Sequence, residues 1–402
     1  MAAWRESRQT GWVASVVPGA AMPVIHVIYW ASLGLLYYIY DGYLRVLQIL
    51  AIFHRETQNS TGPDSKLKVT VLITVHNEAH QIREKIANVL ETDFPAGRLE
   101  VLVASDGSTD GTDDLVTGYE DGRVKLFRRR ARGGKTATQN DAIRQVKGDI
   151  VVFTDAATRF DAAFLHEICS PFSDPVIGAV DGHLLFKQDM NSDLSASQGF
   201  YWNYELKLRR LESRLGILAI ASGACLAVRH ALLLEMDPSI GEDCIVPLDV
   251  AFLGGRVVHA EQAQAFDRMD ISPKREFRTR VRMTARNWTG TWARPELLNP
   301  LWHPGYALAL WSHKLLRWLS PFFIVLMFLS ALVLGLLFGG WQWLYMIIPG
   351  GILSGGTVGW AMERGRLRVP VLGTLYSFGL ANLGFLFGVL KAWFGKPILT
   401  YK

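Results

Sequence analysis

The sequence predicts an α/β, Rossmann-like domain with transmembrane helices on both sides. Three observations predict it. Between residues 64 and 290, short β-branched runs alternate with segments of helical periodicity. Uncharged stretches long enough to cross a hydrocarbon core of ~30 Å flank that region. Half of the 402 residues are hydrophobic and the mean hydropathy is positive, which is unusual for a water-soluble chain of this length.

The membrane elements come first in the chain. After an N-terminal segment, 1–22, the run Pro23–Tyr40 is apolar. Apolar character resumes after Asp41 up to Phe53, so 23–53 reads as the first span. It is too long for the h-region of a cleavable signal and ends without a clear small-residue cleavage site. Ser320–Phe338 and Val369–Leu390 hold no charge. Trp341–Trp360 is also uncharged, and membrane helices tolerate its Pro349 and glycines. Three spans are therefore expected over 320–393, with a tail at 394–402. Leu297–Leu319 mixes Trp, His and Arg with leucines and reads as helix lying in the membrane interface, 291–319, with His303 and His313 there.

The net charge of +5 fits basic residues at membrane ends and calls for no nucleic acid. Arg45 and Arg55 follow span one, and Glu363, Arg364, Arg366 and Arg368 lie between spans three and four. Lys391, Lys396 and Lys402 would then fall on the other side, against the positive-inside rule, unless the last segment re-enters. Cys169, Cys225 and Cys244 lie far apart without metal spacing and read as reduced thiols.

Within 64–290, strands are expected at Lys68–Thr74, Leu99–Ala104, Val124–Arg128 and Asp149–Thr154. Helices are expected at His76–Glu91, Asp110–Tyr119 and Gly133–Lys147. This rhythm implies βαβ units and a parallel sheet, whose ligands bind at the C-terminal ends of the strands. Each strand there runs into a polar cluster: Val75-His76-Asn77-Glu78, Ser105 to Thr112, Arg132-Gly133-Gly134-Lys135, and Asp155-Ala156-Ala157-Thr158. Neither a dinucleotide fingerprint nor a Walker A loop is present. Tyr201-Trp202-Asn203-Tyr204-Glu205 opens an amphipathic helix with Glu205 and Arg209 at i,i+4, and Ser222–Cys225 is a small-residue loop before the strand Leu226–Arg229.

The order of these motifs from about Lys68 to Trp288 resembles the family-2 glycosyltransferases of the GT-A fold. It is closest to their membrane-embedded branch, the bacterial exopolysaccharide, poly-N-acetylglucosamine, hyaluronan and cellulose synthase-like enzymes. The resemblance implies roles. His76, Asn77 and Glu78 form the loop that contacts the nucleoside of the donor, Asp106 binds the base, and Lys135 lies near the nucleotide. Asp155 matches the first Asp of D-x-D, which holds a divalent Mg²⁺ or Mn²⁺ on the diphosphate. Asp243, preceded by Glu242, matches the general base of T-E-D. Thr279–Met283, with Arg280 and Arg282, sits where the family has Q-x-x-R-W. The loop at Gly223 borders the acceptor site in the family, and Trp202 and Trp288 are aromatic candidates to stack on an acceptor.

The chemistry asks for the same residue types. A departing nucleoside diphosphate needs a hard cation and arginine, and an attacking hydroxyl needs a carboxylate base. Two positions depart from the pattern: Ala157 replaces the second Asp of D-x-D, and Met283 replaces the Trp of Q-x-x-R-W. The expected function is inverting transfer of a sugar, from a UDP-sugar, to a growing polysaccharide. The enzyme would be a multi-pass protein of the bacterial inner membrane with a cytoplasmic catalytic domain, contacting membrane lipids. The alternative acceptor is a polyprenyl phosphate or other lipid-linked one. A non-catalytic partner in glycan synthesis is the third reading, and a homodimer or secretion partner is a possible associate.

Overall fold

The protein is described by a computed structural model over residues 10–54, 66–187, 193–268, 272–364 and 369–395. Arg55, Arg366, Arg368, Lys396 and Lys402 lie outside these residues. The chain begins with α1 (Thr10–Tyr37), which continues through a wider π turn into α2 (Tyr43–Phe53). The α/β domain then builds β1 (Val69–Val75), α3 (Ile82–Leu90), β2 (Leu99–Ser105), α4 (Thr112–Thr117), β3 (Val124–Arg128), α5 (Lys135–Ile143) and β4 (Ile150–Asp155). There follow β5 (Arg159–Phe160), α6 (Phe164–Cys169), β6 (Ile177–Lys187), α7 (Asp193–Arg214), β7 (Leu226–Arg229), α8 (Glu242–Phe252), β8 (Arg256–Arg268) and α9 (Pro273–Thr291). The chain closes with α10 (Pro304–Ala309), α11 (Leu316–Phe338), α12 (Ile347–Arg364) and α13 (Pro370–Phe394).

The strands form one eight-stranded sheet in the order β3-β2-β1-β4-β7-β6-β8-β5. The first four are parallel, as expected. The sheet as a whole is mixed, because β7 enters antiparallel between β4 and β6. Alternation along β1 separates the two faces. Val69, Val71, Ile73 and Val75 pack with Ile82, Ile86 and Val89 of α3. Leu72 faces the other way, with Phe153, Ile245, Trp288, Trp318 and Val389. That second face therefore buries α8 and α9 and joins them to the apolar helices.

Predicted helix starts move inward, for local reasons. His76–Gln81 forms a loop, because Ser108 Oγ, Thr112 Oγ1 and Asp110 Oδ2 accept the N–H groups of Asn77, Glu78 and Ala79. Asn77 itself has φ +59, in the left-handed region. Gly134, at φ +93, likewise delays α5 to Lys135.

Four helices are long and apolar enough to cross a membrane: Met22–Phe53, Pro304–Phe338, Gly340–Met362 and Val371–Phe394. The first runs through Asp41 and Arg45, which pair with each other within it. In the second, a further π turn at Leu310–Leu315 joins α10 to α11, so the helix runs without a break from Pro304 to Phe338. His313 is buried within it.

The last helix turns back. Gly384 packs on Arg280 and Gly388 on Thr284 of α9, Trp393 meets Trp288, and Lys391 shares a groove with Phe277 and Val281. Lys391 thus stands beside the α/β domain.

Candidate active site

The four polar clusters converge at the C-terminal edge of the parallel strands. Asp106 lies just past β2 and is almost fully buried. Its Oδ1 accepts the Gly133 N–H at 2.7 Å and the Thr138 hydroxyl at 2.9 Å, and its Oδ2 accepts the Gly134 N–H at 2.9 Å. Both carboxylate oxygens are thus committed to the glycine loop that starts α5. His76 Nδ1 lies 2.9 Å from the Asp106 carbonyl, and Asn77 Oδ1 accepts the Thr109 N–H at 2.8 Å. Glu78 is half-buried and accepts from Gln81.

By fixing the loop, Asp106 sets the first residue of α5. That residue is Lys135. Its Nζ lies 2.6 Å from Asp155 Oδ1 and 2.6 Å from Glu242 Oε1, and its side chain is only 16% exposed. One ammonium therefore joins the end of β4 to the first turn of α8. Glu242 is 3% exposed at its side chain, whereas Asp155 is 42% exposed, so Asp155 faces outward from the cluster.

Gly241 caps α8 with extended backbone, close to the acids of its first turn. A Cβ there would collide with Asp243 Oδ1 and stand 3.9 Å from Arg286 Nη2. A Cβ at Gly223 would lie 2.6 Å from Glu242 Oε1 and would have to displace that carboxylate. Burial raises the Asp243 carboxyl above the ordinary carboxylate range. The neighbouring Glu242 charge adds to the shift, while Arg286 and Lys135 oppose it. A carboxyl raised in this way holds a proton more readily than an ordinary one, as a proton acceptor in transfer chemistry must.

Sequence reasoning missed Arg286. It is buried on α9, where Nη2 donates to Thr136 Oγ1 at 2.9 Å and Nε to the Ser239 carbonyl at 3.2 Å. The signal was present: Arg278, Arg282 and Arg286 recur at i,i+4 and share a helix face. Arg280 lies on another face, paired with Glu276 and with its guanidinium over the Tyr201 ring, and does not join the Glu242–Asp243 cluster. Arg282 is one turn before Arg286 on the same face.

The aromatic candidates also lie apart from the cluster. Trp202 donates its indole N–H to the Leu184 carbonyl at 2.7 Å and packs against Phe186. Trp288 is buried among Trp292, Trp318 and Trp393. Both rings are engaged in packing.

Among the described residues, no group of three or more His, Cys, Asp or Glu side chains could hold a metal ion. The residues present fit a cation that shares its ligands with a diphosphate: Asp155 is half-exposed, and only its Oδ1 is engaged by Lys135.

Parallel strands followed by an antiparallel β7 bring a carboxylate past β4 and an acid pair opening α8 to one edge of the sheet. Residues 70–236 match the Glycosyl transferase family 2. Over that stretch the chain is similar to family 2 glycosyltransferases, and its α/β domain has the GT-A fold.

Similar proteins include an N-acetylglucosaminyltransferase of Rhizobium sp. (strain N33), 26% identical over 212 residues, which are 51% of this chain and 47% of that protein. A beta-monoglucosyldiacylglycerol synthase of a Nostoc species is 27% identical over 164 residues, 39% of this chain and 34% of the relative. The matched region thus spans about half, or less, of these relatives' lengths. Among solved structures, a mannosyltransferase from Pyrobaculum calidifontis in complex with GDP-Man and Mn²⁺ superposes with a TM-score of 0.70 at 19% identity. It covers 91% of this chain and 99% of its own.

Proposed function

We propose that the protein is an inverting glycosyltransferase that moves a sugar from a nucleotide-sugar, a UDP-sugar in the first instance, to a growing polysaccharide at a bacterial inner membrane. The single observation that carries the reading is the Lys135 ammonium bridging Asp155 and Glu242, with Asp243 beside it. On this reading, an acid that would face the diphosphate, a cation and a base lie at one edge of one sheet. Asp243 takes the proton of the attacking hydroxyl. Lys135 and Arg286 supply positive charge that opposes the negative charge developing on the leaving diphosphate. One base and no separate nucleophile correspond to a single displacement and a β-linkage. When bound, Mg²⁺ or Mn²⁺ held by Asp155 and diphosphate oxygens would supply further charge neutralisation.

The His76–Glu78 and Asp106 region forms the nucleoside side. Asp106 acts there by holding the Gly133-Gly134 loop, because its own oxygens are taken. The catalytic domain, residues 64–290, faces the cytoplasm and the apolar helices span the membrane.

A second reading, transfer of one sugar to a polyprenyl phosphate or other lipid-linked acceptor, is favoured by one observation. An open apolar groove of about 570 Å³ lies between α9 and α13, lined by Phe277, Val281, Phe387, Leu390 and Phe394 with Lys391 at its edge. The non-catalytic reading is opposed by the assembled acid–lysine cluster.

The test is nucleoside diphosphate release by the full chain in lipid nanodiscs across a panel of nucleotide-sugars. One donor should turn over, and release should depend on Asp155. Polymer made from that donor supports the first acceptor, whereas a single sugar on extracted lipid supports the second. Donor binding with no turnover of any donor would sink the transferase reading.

A further inference from the structure

A connected set of buried charges runs from the apolar helices to the edge of the site, and the transfer chemistry does not use it. On the span Pro304–Phe338, His313 Nδ1 lies 2.8 Å from Glu212 Oε1 and Nε2 lies 3.0 Å from Glu205 Oε2. Tyr43 of α2 donates its hydroxyl to the same Glu212 oxygen at 2.8 Å. Arg317 donates Nη1 to Glu205 Oε2 at 3.0 Å, while its Nε and Nη2 have no hydrogen-bond acceptor and lie among the Tyr201 and Tyr204 rings.

From Glu205 the set passes along α7. Arg209 donates Nε to Glu205 Oε1 at 3.4 Å, and Nη1 to both oxygens of Asp181 at 3.2 and 3.1 Å. Asp181, on β6, is wholly buried. Its Oδ1 accepts the backbone N–H of Ser222 at 2.7 Å and its Oδ2 meets His259 Nδ1 at 2.8 Å. The next residue is Gly223, where a Cβ would stand 2.6 Å from Glu242 Oε1, and Glu242 holds Lys135.

Stability alone is a poor reason for such a set. Removing charges from water costs several kcal/mol per ion, and well-packed apolar residues often do as well or better. What the ion pairs add is direction, because a guanidinium held between two carboxylates has its position and plane defined. We infer that this network is a positioning device. His313 and Arg317 on the apolar helix, acting through Glu205 and Arg209, hold Asp181, and Asp181 holds the Ser222-Gly223 backbone against Glu242. Its consequence for transfer rests on the glycosyltransferase reading; its effect on the loop does not.

The experiment is hydrogen exchange on the full chain in nanodiscs, comparing wild type with R209M, R209K, H313Q and R317M. The amides of Ser222, Gly223 and Ala224 are expected to exchange at least 10-fold faster in R209M. They should exchange measurably faster in H313Q and R317M, with R209K closer to wild type. The β1 amides, Val69–Val75, should be unchanged in all. R209M leaves Asp181 without its guanidinium, so H313Q and R209K decide the matter if R209M does not accumulate.

Unchanged exchange at Ser222–Ala224 in H313Q and R317M overturns the inference. Equal acceleration in β1 overturns it too, since that is general loosening. A parallel assay of diphosphate release should show kcat lowered with donor KM retained. A wild type that turns over no donor refutes the transferase reading and leaves the exchange measurement to decide this one.

Discussion

Lys85 shows what a single residue contributes beneath this site. It is fully buried on α3, donates Nζ to the Thr158 carbonyl at 2.7 Å and to Thr154 Oγ1 at 3.0 Å, and sits 3.7 Å from the Phe160 ring centroid. Burial pushes its ammonium well below the ordinary lysine range, Arg159 adds to that, and Asp155 opposes it. It ties down the segment that carries Asp155. Nothing in the sequence marked it, because a lysine in a helix between apolar residues reads as a solvated one. Asp155 and Lys135 were legible because they follow a strand and a glycine pair. The contact of Lys135 with Glu242 was not, since it joins residues about a hundred positions apart.

His183 carries a pH prediction. It is buried on β6, with Nδ1 3.1 Å from His259 Nε2. Burial lowers its pKa from the ordinary 6.5 to about 4, and the His259 and Arg210 charges act in the same direction. As pH falls below 6.5 the unfolded chain takes up this proton and the folded chain does not. Stability is therefore expected to fall between pH 6.5 and about 4, with no further loss from this group below that. In H183N this part of the slope should vanish, as read by thermal unfolding across that pH range.

At the scale of elements, the strands were legible and the helix ends were not. β-branched runs located β1 to β4 within a residue or so, because alternation and burial act together there. The helices were over-extended wherever hydroxyl and carboxylate side chains captured the first N–H groups, as at Asn77–Ala79. On α9, attention to Arg280 and Arg282 overlooked the face that α8 actually meets, which is Arg286's.

The proposed chemistry centres on the start of α8. Glu242 and Asp243 occupy its first turn, where the helix dipole favours carboxylates. A side chain at residue 223 in the loop opposite would press on Glu242. Gly223→Ala is expected to push Glu242 away and lower the transfer rate at least 10-fold. The melting temperature should change little, because the displaced group is one side chain at the edge of the core. Comparing rate and melting curves of the variant checks this.

For the whole molecule, uncharged runs located four helices long and apolar enough to cross a membrane. The charge conflict at Lys391 eases once the end of α13 is seen to lie along α9, a contact between residues about a hundred positions apart that no local pattern encodes. The account expects Lys391→Cys and Glu120→Cys to react with an impermeant maleimide from the same face of sealed vesicles. The three native cysteines are buried and should stay silent. Labelling from opposite faces would place α13 across the bilayer.

The central claim is that the acid opening α8 deprotonates an acceptor hydroxyl. Single-turnover transfer by Asp243→Asn, with donor affinity measured alongside, tests it most directly. The account predicts a rate roughly 10²- to 10⁴-fold below wild type with donor affinity retained. Equal transfer rates in the two proteins would contradict it.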